Sequence, residues 1–284
     1  MRERAALYAG LLLDKLGVTG VPDVRVIAGR LGLGIEEGDV TGFDGALVRV
    51  KGASSGIIAL RKSIREGGRK NFTIAHEIAH FVLPKHDESS VCRSSQIETW
   101  SKELAARELE ANEFAAELLL PEAAVRATVG SLEPSLAVAK SIGQTFSTSL
   151  TASAYRLAEL TSFRCAVVWS SQRRVIWFKP SAEFGQWVRI RDSVDPRTLA
   201  FDCFEGRDVP SKPEAVPASA WLSHTDLRAD AMILEESCSM PFYDAVLSLL
   251  WIKDAIETAQ SEDDLEPLDP DDFTLARRRW PGKR

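Results

Sequence analysis

The stretch Lys70-Asn-Phe-Thr-Ile-Ala-His76-Glu77-Ile-Ala-His80-Phe-Val-Leu83 decides how this chain is read. Its apolar residues recur at helical spacing and Pro84 stops the pattern, so a helix is predicted over 70–83. Within it His76, Glu77 and His80 form an H-E-x-x-H sequence. Residues four apart sit one above the other on a helix, so both imidazoles can reach one metal ion. Glu77 projects beside them, where it can take a proton from a water molecule. The chain holds only four histidines in 284 residues, and chance produces such a motif on the order of 0.005 times. The bland alternative is a pair of satisfied helix histidines with a surface glutamate. Phe72, Ile74, Ala75, Ile78, Ala79, Phe81 and Val82 weaken it by making the helix apolar nearly all round, and buried polar groups need a reason.

A catalytic zinc ion wants three protein ligands plus water, so two histidines leave it one short. A long helix is predicted over 97–120, ended by Pro121, and its stretch Arg107-Glu-Leu-Glu-Ala-Asn-Glu-Phe-Ala-Ala-Glu117 offers carboxylates. Glu108 shares a helical stripe with Leu104, Ala105, Ala111, Ala115 and Leu119. Glu113 and Glu117 form an i, i+4 acidic pair expected to face solvent, and Glu110 is ambiguous. Spacing favours Glu108 and leaves Glu110 open. Small residues at Ala111, Ala115 and Ala116 let this helix approach the first closely. Asn112, one turn after Glu108, is placed to hydrogen-bond a ligand imidazole. His86 is a candidate oxyanion stabiliser near the motif, but a loop histidine after Pro84 is expected simply to be exposed.

Working outward, 45% hydrophobic and 27% charged residues describe an ordinary globular chain, and its length favours two domains. A net charge of −6 argues against a nucleic-acid footprint spread over the whole protein. No apolar run approaches the ~20 residues that span a bilayer. The N-terminal Ala5–Leu16 imitates a signal peptide only briefly, since Asp14 and Lys15 follow its apolar part; it reads as an amphipathic first helix. Cys92, Cys165, Cys203 and Cys238 are scattered, as expected of reduced thiols in a cytoplasmic protein.

A short helix is predicted within Val21–Leu33. Gly45–Val50 and Gly56–Leu60 read as a hairpin joined by Lys51–Ser55. Strand Gly56–Leu60 is a candidate edge for an extended peptide, with plain sheet packing the equal alternative. Helices at Leu136–Phe146 and Ser149–Leu160 give Ser141–Leu157 the rhythm of a helix-turn-helix, with Ser147 at the usual turn glycine. Its second helix carries Arg156 as its only base, so packing is expected there rather than DNA reading. Beyond Phe163 the chain is strand-rich: Cys165–Trp169, Val175–Phe178, Trp187–Ile190, Met232–Glu236 and Ala245–Trp251. The acidic, proline-bearing end with its Arg277–Arg279 cluster reads as a mobile tail.

Phe72–Leu83 followed by Glu108–Pro121, with Ala28–Leu33 and Gly42–Leu47 upstream, resembles the ImmA/IrrE family of bacterial metallopeptidases over most of 5–160. Ala79 stands where a glycine is usual, and Arg107 precedes the E-x-E-A-N motif. The resemblance implies that Glu108 is the third zinc ligand beside His76 and His80, with Glu77 as proton acceptor. It further implies a cytoplasmic zinc endopeptidase whose substrate is a Cro-like helix-turn-helix repressor of stress or mobile-element genes. The C-terminal region resembles family regions regarded as GAF-like sensors. The fold expected is α+β: a zincin-like metallopeptidase domain over 1–130, a helix-turn-helix-like segment over 131–161, a mixed α/β domain over 162–258 and a tail over 259–284. Two other functional classes stay open, a regulator that binds its repressor or DNA without cutting and a DNA-binding activator using Ser141–Leu157.

Overall fold

The structure is a computed structural model that describes residues 2–39, 42–49, 54–84, 86, 102–184, 189–223 and 230–253. Its described residues form two compact units, the first within 2–130 and 141–153 and the second within 131–140 and 154–253. Both mix helix and sheet, which makes the chain α+β. Among the described residues no helix is long and apolar enough to cross a membrane. Cys92, the 97–101 start of the predicted long helix and the 259–284 tail lie outside the described residues.

The first unit opens with helix α1 (Arg2–Lys15) and helix α2 (Val24–Arg30). The Asp23 carboxylate starts α2 by accepting from the backbone N–H of Arg25 at 2.9 Å and of Val26 at 3.2 Å, satisfying donors that the first turn leaves open. Strands β1 (Leu33–Gly38), β2 (Gly45–Val48) and β3 (Gly56–Arg61) form a sheet in the order β1-β3-β2. The hairpin pairs Gly45 with Leu60 and Val48 with Ile57, as its composition predicts. β1 is the unforeseen strand, and it runs parallel to β3 from Leu33↔Gly56 to Gly38↔Arg61. That pairing corrects one expectation. β3 is the central strand, with Ile58 and Leu60 wholly buried, and the edges of the sheet are β1 and β2.

Helix α3 (Gly67–Val82) carries the H-E-x-x-H motif and is buried from Thr73 to His80. It ends at Leu83, whose extended ψ of 136° is the conformation a following proline favours. Helix α4 (Lys102–Leu119) packs against both α3 and α1. Ala75, Ala79, Ala111 and Ala115 are fully buried in these two helices, and their small side chains permit a close crossing. Ala116, also expected at that crossing, is exposed.

Helix α5 (Glu122–Val129) follows, then α6 (Leu136–Phe146) and α7 (Leu150–Leu160) with Ser147 between them at φ 52°. Ser147 therefore takes the left-handed conformation that glycine usually supplies at this turn. The turn rests on the start of α3. A Cβ added at Gly68 would lie 2.8 Å from Ser149 N, and the Asn71 amide donates to the Ser147 carbonyl at 3.0 Å. Only glycine fits at 68.

The second unit is built on an antiparallel sheet of β4 (Cys165–Ser171), β5 (Arg174–Pro180), β6 (Glu214–Pro217), β7 (Met232–Met240) and β8 (Ala245–Trp251), ordered β5-β4-β8-β7-β6. Helices α8 (Leu199–Phe204) and α9 (Ala218–Trp221) contribute to a core with Val168, Phe184, Trp221, Ile233 and Leu250. β6 and α8 were not predicted. Of the strand expected over Trp187–Ile190, residues 187 and 188 lie outside the described residues, and Ile190 makes a single bridge to Leu222.

Neighbouring carboxylates on β7 point to opposite faces, as the pleat requires. Glu235 accepts from the first N–H groups of α8, Leu199 at 3.1 Å and Ala200 at 2.7 Å. Glu236 accepts from Leu136 N at 2.7 Å, at the start of α6.

Candidate metal centre

The helical spacing of α3 stacks two of its histidines, with His76 Nε2 and His80 Nε2 3.1 Å apart. α4 brings Glu108 to both, Oε2 at 3.1 Å from His76 Nε2 and Oε1 at 3.4 Å from His80 Nε2. Ligand atoms ~2.0–2.1 Å from a tetrahedral zinc ion stand roughly 3.3 Å from one another, so this triangle fits one such ion. Among the described residues, His76, His80 and Glu108 form the group whose ligand atoms all lie within 4.8 Å of one another.

The chemistry of the three side chains points the same way. Asn112 Oδ1 lies 3.0 Å from His76 Nδ1. An amide oxygen only accepts, so Nδ1 carries the hydrogen and Nε2 turns a lone pair toward His80 and Glu108. Lone pairs converging at this distance need a positive charge among them. In the metal-free chain protons supply it. Burial works against ionisation of Glu108, but its hydrogen bonds to His76 and His80 prevail and hold its carboxyl at about 2. Burial likewise opposes charge on His76, and the Glu108 hydrogen bond with the Glu77 and Glu108 charges raises it above the ordinary value. A divalent cation would take over that role from the protons.

Glu77 lies on the same helix, only 1% exposed. Its carboxylate sits beside the first residue of β2. A Cβ added at Gly45 would lie 3.4 Å from Glu77 Oε1 and 2.2 Å from Thr73 Cγ2. The Thr73 hydroxyl donates to the Arg69 carbonyl at 2.9 Å, which fixes the methyl where it obstructs that Cβ. Glycine at 45 is therefore what lets the β2 edge pass directly beside Glu77.

His86 corrects the sequence reading. It is 3% exposed, not a solvent-facing loop residue, and its Nδ1 lies 2.9 Å from His80 Nδ1. Its Nε2 lies 3.3 Å from Glu110 Oε2, and Arg4 stands 3.4 Å from the other Glu110 oxygen. Burial pushes His86 below its ordinary value, against the pull of Glu110. Glu110 is thus the more deeply buried of the two glutamates, yet it faces His86 while Glu108 faces the histidine pair. Glu113 and Glu117 are half-buried rather than solvent-facing. One signal for His86 was present in the sequence: three of the four histidines fall within 76–86.

On the helix-turn-helix-like segment, Arg156 is 7% exposed and ion-paired with Glu159 at 2.6 Å. Its guanidinium is committed within the protein.

A family model described as the IrrE N-terminal-like domain, Peptidase_M78, matches residues 28–158. Among solved structures, a Mycobacterium tuberculosis transcriptional regulator matches with a TM-score of 0.55 at 14% identity, covering 88% of this chain and 76% of that chain. At that identity the likeness is one of fold. No curated protein matches the chain.

Proposed function

Through residues 28–158 this chain belongs to the ImmA/IrrE family, and on that premise we propose that it is a cytoplasmic zinc-dependent endopeptidase that cleaves a helix-turn-helix repressor. The observation that carries the reading is the cluster of His76 Nε2, His80 Nε2 and the Glu108 carboxylate: the two nitrogens are 3.1 Å apart, Oε2 lies 3.1 Å from His76 Nε2 and Oε1 3.4 Å from His80 Nε2. These residues would hold the ion. When bound, zinc supplies Lewis acidity toward a peptide carbonyl and lowers the pKa of water to about 7.

The chain's own residues do the rest. Glu77 accepts the proton of the attacking water and delivers it to the leaving amine nitrogen. Asn112 holds the His76 ring through Nδ1, so that its Nε2 lone pair stays aimed. The substrate backbone lies along β2, because among the described residues no strand pairs with the outer edge of β2. Extended peptide added there gains main-chain hydrogen bonds and runs past Glu77. The candidate edge is thus Gly45–Val48 rather than Gly56–Leu60, whose plain packing inside the sheet was the equal alternative.

The repressor substrate is what the family resemblance implies; a solved structure of similar fold is a Mycobacterium tuberculosis transcriptional regulator. The buried Arg156 supports a packing role for the helix-turn-helix-like segment rather than direct DNA contact. We assign the second unit, with its antiparallel sheet, to sensing, by analogy with GAF-like regions.

Digestion of the neighbouring Cro-like repressor and of casein, read by mass spectrometry with chelator controls, tests the proposal. Cleavage of the repressor at one or a few bonds, abolished by chelator, is expected, with casein cut poorly. Equal multi-site cleavage of both would make it a degradative protease. Tight binding of the repressor without cleavage would make it a non-catalytic regulator.

The ligand assignment has its own test. Glu108→Ala is expected to lower zinc affinity at least ~100-fold, because it removes one of three direct ligands. Glu110→Ala, which leaves the triangle intact, is expected to cost no more than ~10-fold. Competition titration with a chromophoric chelator ranks them, and the reverse order overturns the assignment.

A further inference from the structure

We propose that His86 is a positioning residue for the metal centre: by accepting the Nδ1 hydrogen of His80, it fixes the tautomer that turns the His80 Nε2 lone pair onto the ion. The inference rests on the metal-centre reading above and adds to it a residue on the far side of the ligand ring.

Hydrogen-bond direction along the buried chain carries the argument. His80 Nδ1 and His86 Nδ1 are 2.9 Å apart, so one holds a hydrogen and the other a lone pair. Glu110 decides which. Its Oε2 lies 3.3 Å from His86 Nε2, and a carboxylate only accepts, so His86 Nε2 carries the hydrogen. A neutral His86 then presents its Nδ1 lone pair, the shared hydrogen belongs to His80, and the lone pair of His80 moves to Nε2. That nitrogen faces His76 and Glu108. Arg4 stands 3.4 Å from Glu110 Oε1, on the other side of the carboxylate that starts the sequence.

The geometry excludes His86 as a ligand to the same ion. It touches His80 through the ring nitrogen opposite the one in the triangle, and its own Nε2 is turned to Glu110. Its backbone is clamped. Arg49, just after β2, donates to the carbonyls of His86 at 3.3 Å and Phe81 at 3.5 Å, and its guanidinium lies 5.4 Å over the Phe81 ring. Both ligand imidazoles are thus oriented from behind, His76 by an amide oxygen and His80 by a second imidazole backed by a carboxylate. Outer partners of this kind set ligand orientation and basicity, and their loss typically costs 10–100-fold in metal affinity.

The test uses the full chain and zinc itself. His86→Phe keeps an aromatic ring in the site but removes the acceptor; zinc affinity should fall 10–100-fold. His86→Asn restores an oxygen near the position of Nδ1 and should recover affinity to within about threefold of wild type. Melting curves in chelator compare the folds of the variants without metal. Nitrogen-15 spectra of the zinc-loaded wild type supply a reading that needs no variant: the hydrogen should sit on Nδ1 of His80 and on Nε2 of His86. His86→Phe binding zinc as wild type does, or a His86 that carries its hydrogen on Nδ1, overturns the inference and leaves the metal centre standing. Wild-type protein that binds no zinc overturns the metal-centre reading and this inference with it.

Discussion

Glu77→Gln is expected to lower the rate of repressor cleavage by about 10³-fold while zinc affinity and the melting temperature stay near wild type. A positioned general base contributes roughly 10²–10⁴-fold, so the middle of that range corresponds to ~4 kcal/mol of barrier. The substitution is chosen for shape. Glu77 is 1% exposed, between α3 and the start of β2, and alanine there would open a cavity whose cost would be confused with lost chemistry. Glutamine fills the same volume and cannot take a proton at neutral pH. The triangle of His76, His80 and Glu108 contains no Glu77 atom, so ion binding is not expected to change. Three measurements on one preparation decide the matter: cleavage rate of the zinc-loaded protein, zinc titration and thermal melting. A zinc-loaded Glu77→Gln protein that cuts at the wild-type rate removes Glu77 from the mechanism. A parallel fall in zinc affinity would instead make Glu77 part of the binding shell.

What the sequence disclosed and what it withheld divide along one physical line, the range of the interactions involved. α3 was legible because its period, its Pro84 stop and the four-residue spacing of His76 and His80 are all local. Glu108 was half legible: the stripe it shares with Ala111 and Ala115 indicates a face, but Glu110 lies on an adjacent inward-facing position and is the more buried. Choosing between them needs the crossing of two helices whose facing residues His76 and Glu108 are 32 positions apart, which spacing within α4 does not contain. β1 was illegible because Leu33-Gly-Ile-Glu-Glu-Gly38 carries two glycines and buries only Leu33, so it shows no alternation to read. Missing β1 then made the central strand β3 look like an edge. His86 follows a proline in a loop, and exposure is the ordinary fate of such a residue. It is buried because Arg49 and Glu110 meet it from 37 and 24 residues away. Glu235 and Glu236 were read as ordinary residues of a strand, although their partners include Leu199 at a separation of 36 and Leu136 at 100.

Glu235→Gln is expected to destabilise the protein by about 2–4 kcal/mol, the largest stability effect we assign to one side chain. The residue is wholly buried, and four donors fill its lone pairs. Oε1 accepts from Ala200 N and Ser237 Oγ, each at 2.7 Å, and Oε2 from Leu199 N at 3.1 Å and Trp221 Nε1 at 2.8 Å. Burial pushes the acid above the ordinary carboxylate value and the four donors pull it back. Glutamine removes the cost of the buried charge, but it also replaces one oxygen by an amide nitrogen that can only donate. Placed toward Leu199 and Trp221, that nitrogen strands two donors. Placed toward Ala200, it strands one, because the Ser237 hydroxyl can turn to Ser248 Oγ, 2.7 Å away. Each stranded buried donor costs about 1–3 kcal/mol, and the surviving bonds lose their charged acceptor. The melting temperature should fall by roughly 5–12 °C. Glu236→Gln is the control, since the amide oxygen of glutamine can still accept from Leu136 N; its cost should stay below ~1 kcal/mol. Thermal scans of both variants in the same buffer give the comparison, and a Glu235→Gln protein melting within a degree of wild type would show that the carboxylate is dispensable to the second unit.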